Sequence, residues 1–291
     1  MHRDDHGNGE RHPRHRPRGK SADAAETWPG RGVSQAVRPA RTSRDAELRL
    51  HGVNACLAAF ARRPGDLRKL WLTEAHIATF KPVLAWCVKH RLGYRVVAAD
   101  ELERLTGSSH HEGVCMAMRQ RPSLTLADVL AGIATNAPAS LLWLQGVGNP
   151  HNLGAIVRSA AHFGVRAILL GDAGALSPAA WRVAEGGAEA VPCVLVTDAE
   201  HARATLRSAG FQLAATVVRG GEDLYRQTLP PRLVWLLGAE STGLPQGLTE
   251  RADLQVRIPG TGAVESLNVS VAAALLMAEW RRVSAGVRDE G

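Results

Sequence analysis

The stretch 138–170, PASLLWLQGVGNPHNLGAIVRSAAHFGVRAILL, contains one complete strand, helix and strand unit. A strand is predicted at 140–145 around the continuous apolar run 141–144, apolar residues recur at helical spacing over 153–163, and they run continuously again over 167–170. When a helix connects two consecutive strands, the strands usually lie parallel in the sheet. A tight turn would instead join them as an antiparallel pair. The stretch therefore predicts a parallel sheet with helices packed on its faces.

The same alternation continues towards the carboxyl terminus. Strands are predicted at 193–196, 212–217, 233–237 and 254–258, with helices at 199–209 and 268–283. We expect the core-facing side of the last helix to consist of Ala272, Leu275, Leu276 and Trp280. The predicted fold class is α/β, with a largely parallel sheet covered on both faces. Ligands of such sheets bind beyond the carboxyl ends of the strands.

A smaller α/β unit precedes this series. It contains predicted strands at 67–72, 94–98 and 112–118 and a predicted helix at 80–90. The segment 119–125, RQRPSLT, then interrupts the periodicity with charge, proline and serine, as a linker does. The predicted organisation is a tail (1–45), a small domain (46–119), a linker with a connecting helix (120–137), a large domain (138–286) and a short tail (287–291).

Composition is that of a globular protein. The chain has 291 residues, of which 45% are hydrophobic and 22% charged, which excludes a wholly disordered or fibrous chain. The most apolar stretch, 269–280, is interrupted by Ser270 and Glu279 and is well short of the roughly 20 residues that span a bilayer. The first residues lack the apolar core of a secretory signal, and the four cysteines form no C-x-x-C pair. We therefore expect a cytoplasmic protein without a membrane segment or a metal site.

The segment 1–45 holds ten Lys/Arg against six Asp/Glu and so carries over half of the chain's net charge of +7. Its few apolar residues bury too little surface to offset the entropy of ordering, so we predict a disordered cationic tail. Such a tail is able to follow a phosphate backbone without reading its sequence. A solubilising extension fits the composition equally well, and a histidine-rich metal tract is a third interpretation.

Two loops at predicted strand ends contain unusual residues. The first, 145–159, reads QGVGNPHNLGAIVRS and has Gly146 and Gly148 but no third glycine at dinucleotide spacing. This spacing argues against a nicotinamide-dependent oxidoreductase. Its Arg158 lies about one and a half turns inside the helix, where an arginine is usually solvated or salt-bridged. The second loop, 236–245, reads LLGAESTGLP and lacks the lysine of a P-loop.

A third stretch, 258–279, reads IPGTGAVESLNVSVAAALLMAE and leads from a strand into the last helix. Ser266 and Asn268 precede that helix, and capping explains both residues without a functional role. Ser266 does not lie in a G-x-S-x-G elbow, so a hydrolase nucleophile is poorly supported. Each loop, taken alone, therefore has a structural explanation.

Taken together, the three loops resemble the three ordered motifs of the SpoU/TrmH family of RNA ribose 2′-O-methyltransferases. The matching segments are NPHNLGAIVRSA (149–160), LGAESTGLP (237–245) and IPGTGAVESLNVSVA (258–272). The preceding segment, with HGVNA (51–55) and HEGV (111–114), is similar to the small RNA substrate-binding domain that many of these enzymes carry. The resemblance covers both predicted domains and leaves the segment 1–45 outside.

The resemblance implies a SPOUT fold with a carboxy-terminal trefoil knot, a homodimer formed through the knot, and S-adenosylmethionine bound in a bent form without a metal. The cofactor positions that it implies are Gly238, Ile258 and Leu267, with Thr216, Leu237 and Asn268 nearby. Arg158 matches the catalytic arginine of the family, and the other active-site positions match Asn152, Glu240, Ser266 and Asn268. Asn149 and Gly260 depart from the pattern, which commonly has Asp and Met there.

Methyl transfer to a ribose hydroxyl requires an aligned donor and acceptor and removal of a proton from a weak acid. Arginine is an awkward base because its pKa lies above about 12. Either Arg158 loses a proton after polarisation by an RNA phosphate, as has been proposed for the family, or it clamps that phosphate and stabilises the developing alkoxide. We favour the clamp.

The added small domain and the basic tail favour a large structured RNA, with ribosomal RNA as the first choice and transfer RNA as the second. Aromatic residues make up 4% of the chain, so we expect contacts with shape, phosphates and 2′-hydroxyls rather than base stacking. A catalytically silent RNA-binding or ribosome-assembly factor with the same fold is the alternative. The presence of Arg158, Glu240, Ser266 and Asn268 counts against it.

Overall fold

The computed structural model describes residues 46–171 and 176–289, with side chains up to residue 284. The predicted tail, 1–45, lies outside the described residues. The strands are β1 (Glu47–His51), β2 (Leu67–Leu72), β3 (Gly93–Val96), β4 (Val114–Arg119), β5 (Ala139–Leu144), β6 (Ile168–Leu170), β7 (Cys193–Leu195), β8 (Gln212–Thr216), β9 (Glu222–Asp223), β10 (Arg232–Leu237) and β11 (Leu254–Arg257). The helices are α1 (Val53–Arg62), α2 (Lys81–Lys89), α3 (Ala99–Thr106), α4 (Leu126–Ala131), α5 (Pro150–Phe163), α6 (Pro178–Val183), α7 (Ala199–Ser208), α8 (Gln246–Glu250) and α9 (Val269–Asp289).

The first four strands form a small mixed sheet in the order β1-β4-β2-β3. Strand β4 runs antiparallel to both β1 and β2, whereas β2 and β3 are parallel. Leu50, Leu70 and Met116 of this sheet pack with Cys56 of α1 and Val83 of α2 in one buried cluster. The sheet contains the strands predicted near 67–72, 94–98 and 112–118, whereas β1, α1 and α3 go beyond the predicted elements.

The remaining strands form a seven-stranded sheet in the order β7-β6-β5-β10-β8-β11-β9, and every strand pairing in it is parallel. Successive residues of β5 point to opposite faces, so Leu142 and Leu144 join the core under α5 and α9. Leu141 and Trp143 join the core under α7. Because both faces are buried, the strand is apolar throughout. The predicted parallel sheet with two covered faces is confirmed.

Helix α5 begins and ends where its sequence indicates. The side chain of Asn149 accepts a hydrogen bond from the backbone N–H of His151 at 2.9 Å, and Pro150 follows at the first helical position. Gly164 ends the helix with a left-handed backbone, φ 75°. Asn149 therefore caps the helix, a role that the Asp common in the family would also fill.

The predicted inward face of α9 is partly wrong. Trp280 and Leu276 are buried as expected, together with Ala273 and Met277. Ala272 and Leu275 are only partly buried; Ala272 lines the cleft described below, and Leu275 lies on a shallow surface beside α5. The helix is apolar around more than half of its circumference, so periodicity alone could not determine its rotation.

The two sheets are held together by α6 and the 3₁₀ turn Gly187–Glu189, which lie between β6 and β7. Trp181 of α6 packs against the buried cluster of the small domain. Arg63, just after α1, forms an ion pair with Glu189 at 2.7 Å, and their side chains are only 4% and 5% exposed. The small domain therefore docks through a buried contact and does not rely on the linker alone.

Strand pairing does not establish how the chain is threaded, so the knot stays a prediction. No helix in the described residues is both long and apolar enough to cross a bilayer. Within the same residues, no group of three or more His, Cys, Asp or Glu side chains is placed to hold a metal ion.

Candidate functional site

The three unusual loops meet at one edge of the large sheet. They follow β5, β10 and β11, whose carboxyl ends lie at the same edge because all pairings are parallel. The backbone N–H of Gln145 donates to the carbonyl of Leu237 at 2.8 Å, which joins the first two loops. Strand β5 lies between β6 and β10, so the strand order of the sheet reverses at β5. Open α/β sheets bind ligands beyond the carboxyl ends of the strands at such a reversal.

A cleft of about 360 Å³ opens between the loops that follow β8, β10 and β11. Five of the six predicted cofactor positions line it, namely Thr216, Leu237, Gly238, Ile258 and Leu267. The sixth, Asn268, does not line it, although its neighbours Leu267 and Val269 do. A cleft of this size, with apolar side chains and backbone polar groups from two loops, suits a small organic ligand.

Gly238 is required by the path of the chain. A Cβ atom at this position would lie 2.0 Å from the carbonyl carbon of Gly243 and 2.3 Å from the backbone nitrogen of Leu244. The N–H of Gly243 also donates to the carbonyl of Ala239 at 2.8 Å, which closes the loop. The direct reason for glycine here is therefore the contact between two backbone segments. Gly260, by contrast, has open space around its Cα.

A carboxylate and two amides form a network beside the cleft. Oε1 of Glu240 accepts hydrogen bonds from Nδ2 of Asn268 at 2.8 Å and from Nδ2 of Asn152 at 3.2 Å. The Nδ2 of Asn268 also lies 3.0 Å from Oδ1 of Asn152. The structure thus brings together three of the predicted site residues, from α5, the β10 loop and the start of α9.

The same network anchors the amino terminus of α9. Oε1 of Glu240 accepts a further hydrogen bond from the backbone N–H of Val269 at 3.1 Å, and a negative charge is favoured at this end of a helix. Asn268 caps the helix, because its Oδ1 accepts from the N–H of Ser270 at 2.9 Å. Asn268 therefore has both the capping role and the network role, which the sequence left as alternatives.

Ser266 and Arg158 lie outside this network. Ser266 lines the cleft. Arg158 is 59% exposed and forms an ion pair with Glu185 at 2.9 Å. It lies six residues after Asn152 on α5 and therefore about 120° around the helix axis. Among the described residues, Arg158 pairs with Glu185 and not with the other four predicted catalytic positions.

Two contributors were not among the predicted residues. The backbone N–H of Val269 supports Glu240, and Glu185 pairs with Arg158. A backbone donor leaves no trace in side-chain patterns. Glu185 precedes the pair Gly186 and Gly187, and this acid before two glycines between predicted strands is the signal that could have identified it.

Both parts of the chain match known protein families. A family model described as the SpoU rRNA Methylase family matches residues 139–278, and one described as RNA 2'-O ribose methyltransferase substrate binding matches residues 49–123. An uncharacterized tRNA/rRNA methyltransferase, YfiF, of Escherichia coli O157:H7 is 38% identical over 83% of this chain and 70% of its own length. The 23S rRNA (guanosine-2'-O-)-methyltransferase RlmB of Nitrosomonas europaea is 33% identical over 79% of this chain and 89% of its own.

Solved structures give the same result. A crystal structure of an RNA 2'-O ribose methyltransferase superposes with a TM-score of 0.70 at 26% identity, covering 82% of this chain and 89% of the other. An AdoMet-bound rRNA methyltransferase from Sinorhizobium meliloti superposes with a TM-score of 0.68 at 25% identity, covering 81% and 87%. Each superposition covers more than four fifths of this chain.

Proposed function

The chain belongs to the SpoU rRNA methylase family, and from that premise we propose that it transfers a methyl group from S-adenosylmethionine to a ribose 2′-hydroxyl of ribosomal RNA. The observation that carries the proposal is the meeting of a ligand-sized cleft and the network of Glu240, Asn152 and Asn268 at one sheet edge. The curated relatives named as 23S rRNA methyltransferases support ribosomal RNA as the substrate class.

The cleft suits S-adenosylmethionine in its chemistry. Leu237, Ile258 and Leu267 supply apolar surface, and the loops after β10 and β11 supply backbone donors and acceptors. Gly260 leaves open space within the same cleft. When bound, S-adenosylmethionine supplies an electrophilic methyl group on a sulfonium. The neighbour from Sinorhizobium meliloti, solved with AdoMet bound, supports the assignment.

The residues of this chain would align the acceptor and balance its charge. Glu240 has Oε1 occupied by three donors, so its carboxylate is held in one orientation beside the cleft. Asn152 and Asn268 fix that orientation, and Ser266 lines the cleft where the ribose would enter. Such positioning lowers the barrier by holding the reacting atoms close to their attack geometry.

Arg158 is suited to hold an RNA phosphate. Its guanidinium is 59% exposed, and the ion pair with Glu185 uses NH1, which leaves further N–H donors for a phosphate oxygen. Guanidinium and phosphate form strong, often bidentate hydrogen bonds. A fixed cation next to the ribose also stabilises negative charge as the hydroxyl loses its proton. The exposure of Arg158 therefore supports a role in holding an RNA phosphate rather than a role as the general base.

The test is transfer of radiolabelled methyl from S-adenosylmethionine to RNA purified from cells that lack this protein, separated into ribosomal and transfer RNA. We expect label in ribosomal RNA only, at ribose. Arg158→Ala should abolish transfer and leave the affinity for S-adenosylhomocysteine unchanged, since Arg158 does not line the cleft. Label in transfer RNA alone would correct the substrate class. No label in either class or in assembling ribosomal particles, with tight RNA binding, would support the silent binding factor instead.

We further propose that the protein acts in the cytoplasm as a homodimer formed through the surface between α5 and α9. This α5/α9 surface consists of Ala155, Ser159, Phe163, Ser270, Val271, Ala274, Leu275 and Ala278. Val271 is 48% exposed, and the small side chains around it allow another helix to approach closely. Light scattering should give twice the chain mass, and Leu275→Asp should give a monomer. Val88→Asp, at an apolar position of the small domain that is 64% exposed, should leave the mass unchanged.

A further inference from the structure

The turn after α6 is wedged between the two domains. A Cβ atom on Gly186 would lie 2.6 Å from the Cβ of Ala58 on α1. A Cβ atom on Gly187 would lie 2.9 Å from the carbonyl oxygen of Val157 and 3.0 Å from the Cα of Arg158 on α5. Because each glycine touches a different helix, the turn is fixed on one side by the small domain and on the other by α5.

Glu185, in this turn, bridges the two sides with its carboxylate. Oε1 is paired with NH1 of Arg158 at 2.9 Å, and Oε2 accepts from Nδ2 of Asn54 on α1 at 3.4 Å. The backbone of Glu185 has φ 45°, in the left-handed region that side chains other than glycine seldom adopt. Such strain persists where the surrounding structure imposes it, and it concentrates at functional positions.

A second glutamate with a strained backbone lies in the same interface but is not paired with Arg158. Glu112 of the small domain accepts from the N–H of Val53 at 3.0 Å and pairs with Arg182 of α6 at 3.3 Å. Glu112 also has a left-handed backbone, φ 53°. Glu112 and Glu185 are therefore alike in strain and in ion pairing, but only Glu185 reaches the candidate catalytic arginine.

We propose that Glu185 is a positioning residue for Arg158. Its carboxylate holds the guanidinium through one nitrogen, and Asn54 and the wedged turn hold the carboxylate. The inference rests on the proposed methyl transfer, because it assigns a role within that reaction. Before RNA binds, the guanidinium is thus already oriented, and its donors other than NH1 have no partner among the described residues and can bind a phosphate. The small domain then contributes to the active site through Asn54 as well as through any contact with RNA.

The decisive variant is Glu185→Gln, which keeps the shape and the acceptor atom but removes the charge. We expect kcat to fall by about tenfold or more, since misplaced catalytic groups have effects of that size, while KM for the RNA changes by less than about threefold. The melting temperature and the affinity for S-adenosylhomocysteine should match the wild type. Glu112→Gln is the control, because it removes an ion pair from the same interface, and it should retain the wild-type kcat.

A second variant separates positioning from folding. Glu185→Gly relieves the left-handed strain, so the melting temperature should stay the same or rise while kcat falls at least as far as in Glu185→Gln. Asn54→Ala should lower kcat in the same direction by a smaller factor.

The outcomes distinguish this inference from the proposed function. A wild-type protein that methylates RNA, with Glu185→Gln equally active, would overturn the positioning role and leave the function standing. Equal losses in Glu112→Gln and Glu185→Gln would also overturn it, since the effect would then come from domain docking. A wild-type protein that transfers no methyl group to any RNA would refute the proposed function, and the positioning role with it.

Discussion

Replacing Arg63 with an uncharged residue should strongly destabilise the protein, because the buried carboxylate of Glu189 then has no counter-charge. Its guanidinium is paired with the Glu189 carboxylate by three hydrogen bonds of 2.7, 2.8 and 3.0 Å, and its NH1 donates to the carbonyl of Arg119 at 2.9 Å. The two charged side chains are only 4% and 5% exposed. Water cannot replace the lost donors without opening the interface.

The magnitude follows from that burial. Breaking one partner of a buried ion pair costs about 3–5 kcal/mol, because the remaining charge is uncompensated. For a chain of this size each kcal/mol lowers the melting temperature by about 2–4 °C, so Arg63→Met should lower it by about 6–20 °C. Arg219 and Glu265 form an exposed pair, 87% and 73%, and Arg219→Met should cause no measurable change.

Urea unfolding followed by tryptophan fluorescence measures the effect, since Trp181 packs across the same interface. The double variant Arg63→Met with Glu189→Leu should recover most of the lost stability, because no unpaired charge remains. A loss below about 1 kcal/mol in Arg63→Met would refute the reasoning. It would mean that water reaches the pair and that the small domain is not docked as the structure shows.

Three further predictions concern the cleft, the thiols and the amino-terminal segment. Gly238→Ala should weaken binding of S-adenosylhomocysteine at least tenfold in calorimetry, whereas Gly260→Ala in the same cleft should bind normally, because only the first meets backbone atoms. Burial raises the pKa of the Cys193 thiol to about 12 and that of Cys115 to about 11, so both should resist iodoacetamide at pH 8 until the protein unfolds. These thiols stay neutral in the folded state but ionise in the unfolded chain above about pH 9, so the free energy of unfolding should fall as pH rises beyond 9, and a flat profile would contradict the burial. Deleting 1–45 should lower RNA affinity at low salt and have little effect at high salt; a loss independent of salt would show specific contacts instead.

Much of the candidate site could be predicted from residue types in order. Asn152, Glu240 and Asn268 were placed by three motifs, and the structure brings their side chains within hydrogen-bonding distance. Parallel strands explain this success, since loops that follow them emerge at one edge however far apart they are in the chain. The roles of these residues in catalysis stay predictions.

Other features could not be predicted, because they depend on contacts between distant segments. The need for glycine at 238 comes from the backbone of Gly243, and the orientation of Arg158 comes from Glu185. The prediction that Ala272 and Leu275 of α9 face the core was wrong, since both are only partly buried. Periodicity identifies the apolar side of a helix but not which part of that side a neighbouring element covers.

By itself, the sequence determined the parallel α/β sheet and the three loops at its carboxyl edge. These features follow from local periodicity and from strand polarity, which neighbouring residues encode. Only the tertiary structure decided that the small domain docks through Arg63 and Glu189, and that Asn54 reaches Arg158 by way of Glu185. Ion pairs across an interface require two surfaces to meet in one orientation, and that orientation is a property of the packed whole rather than of any segment.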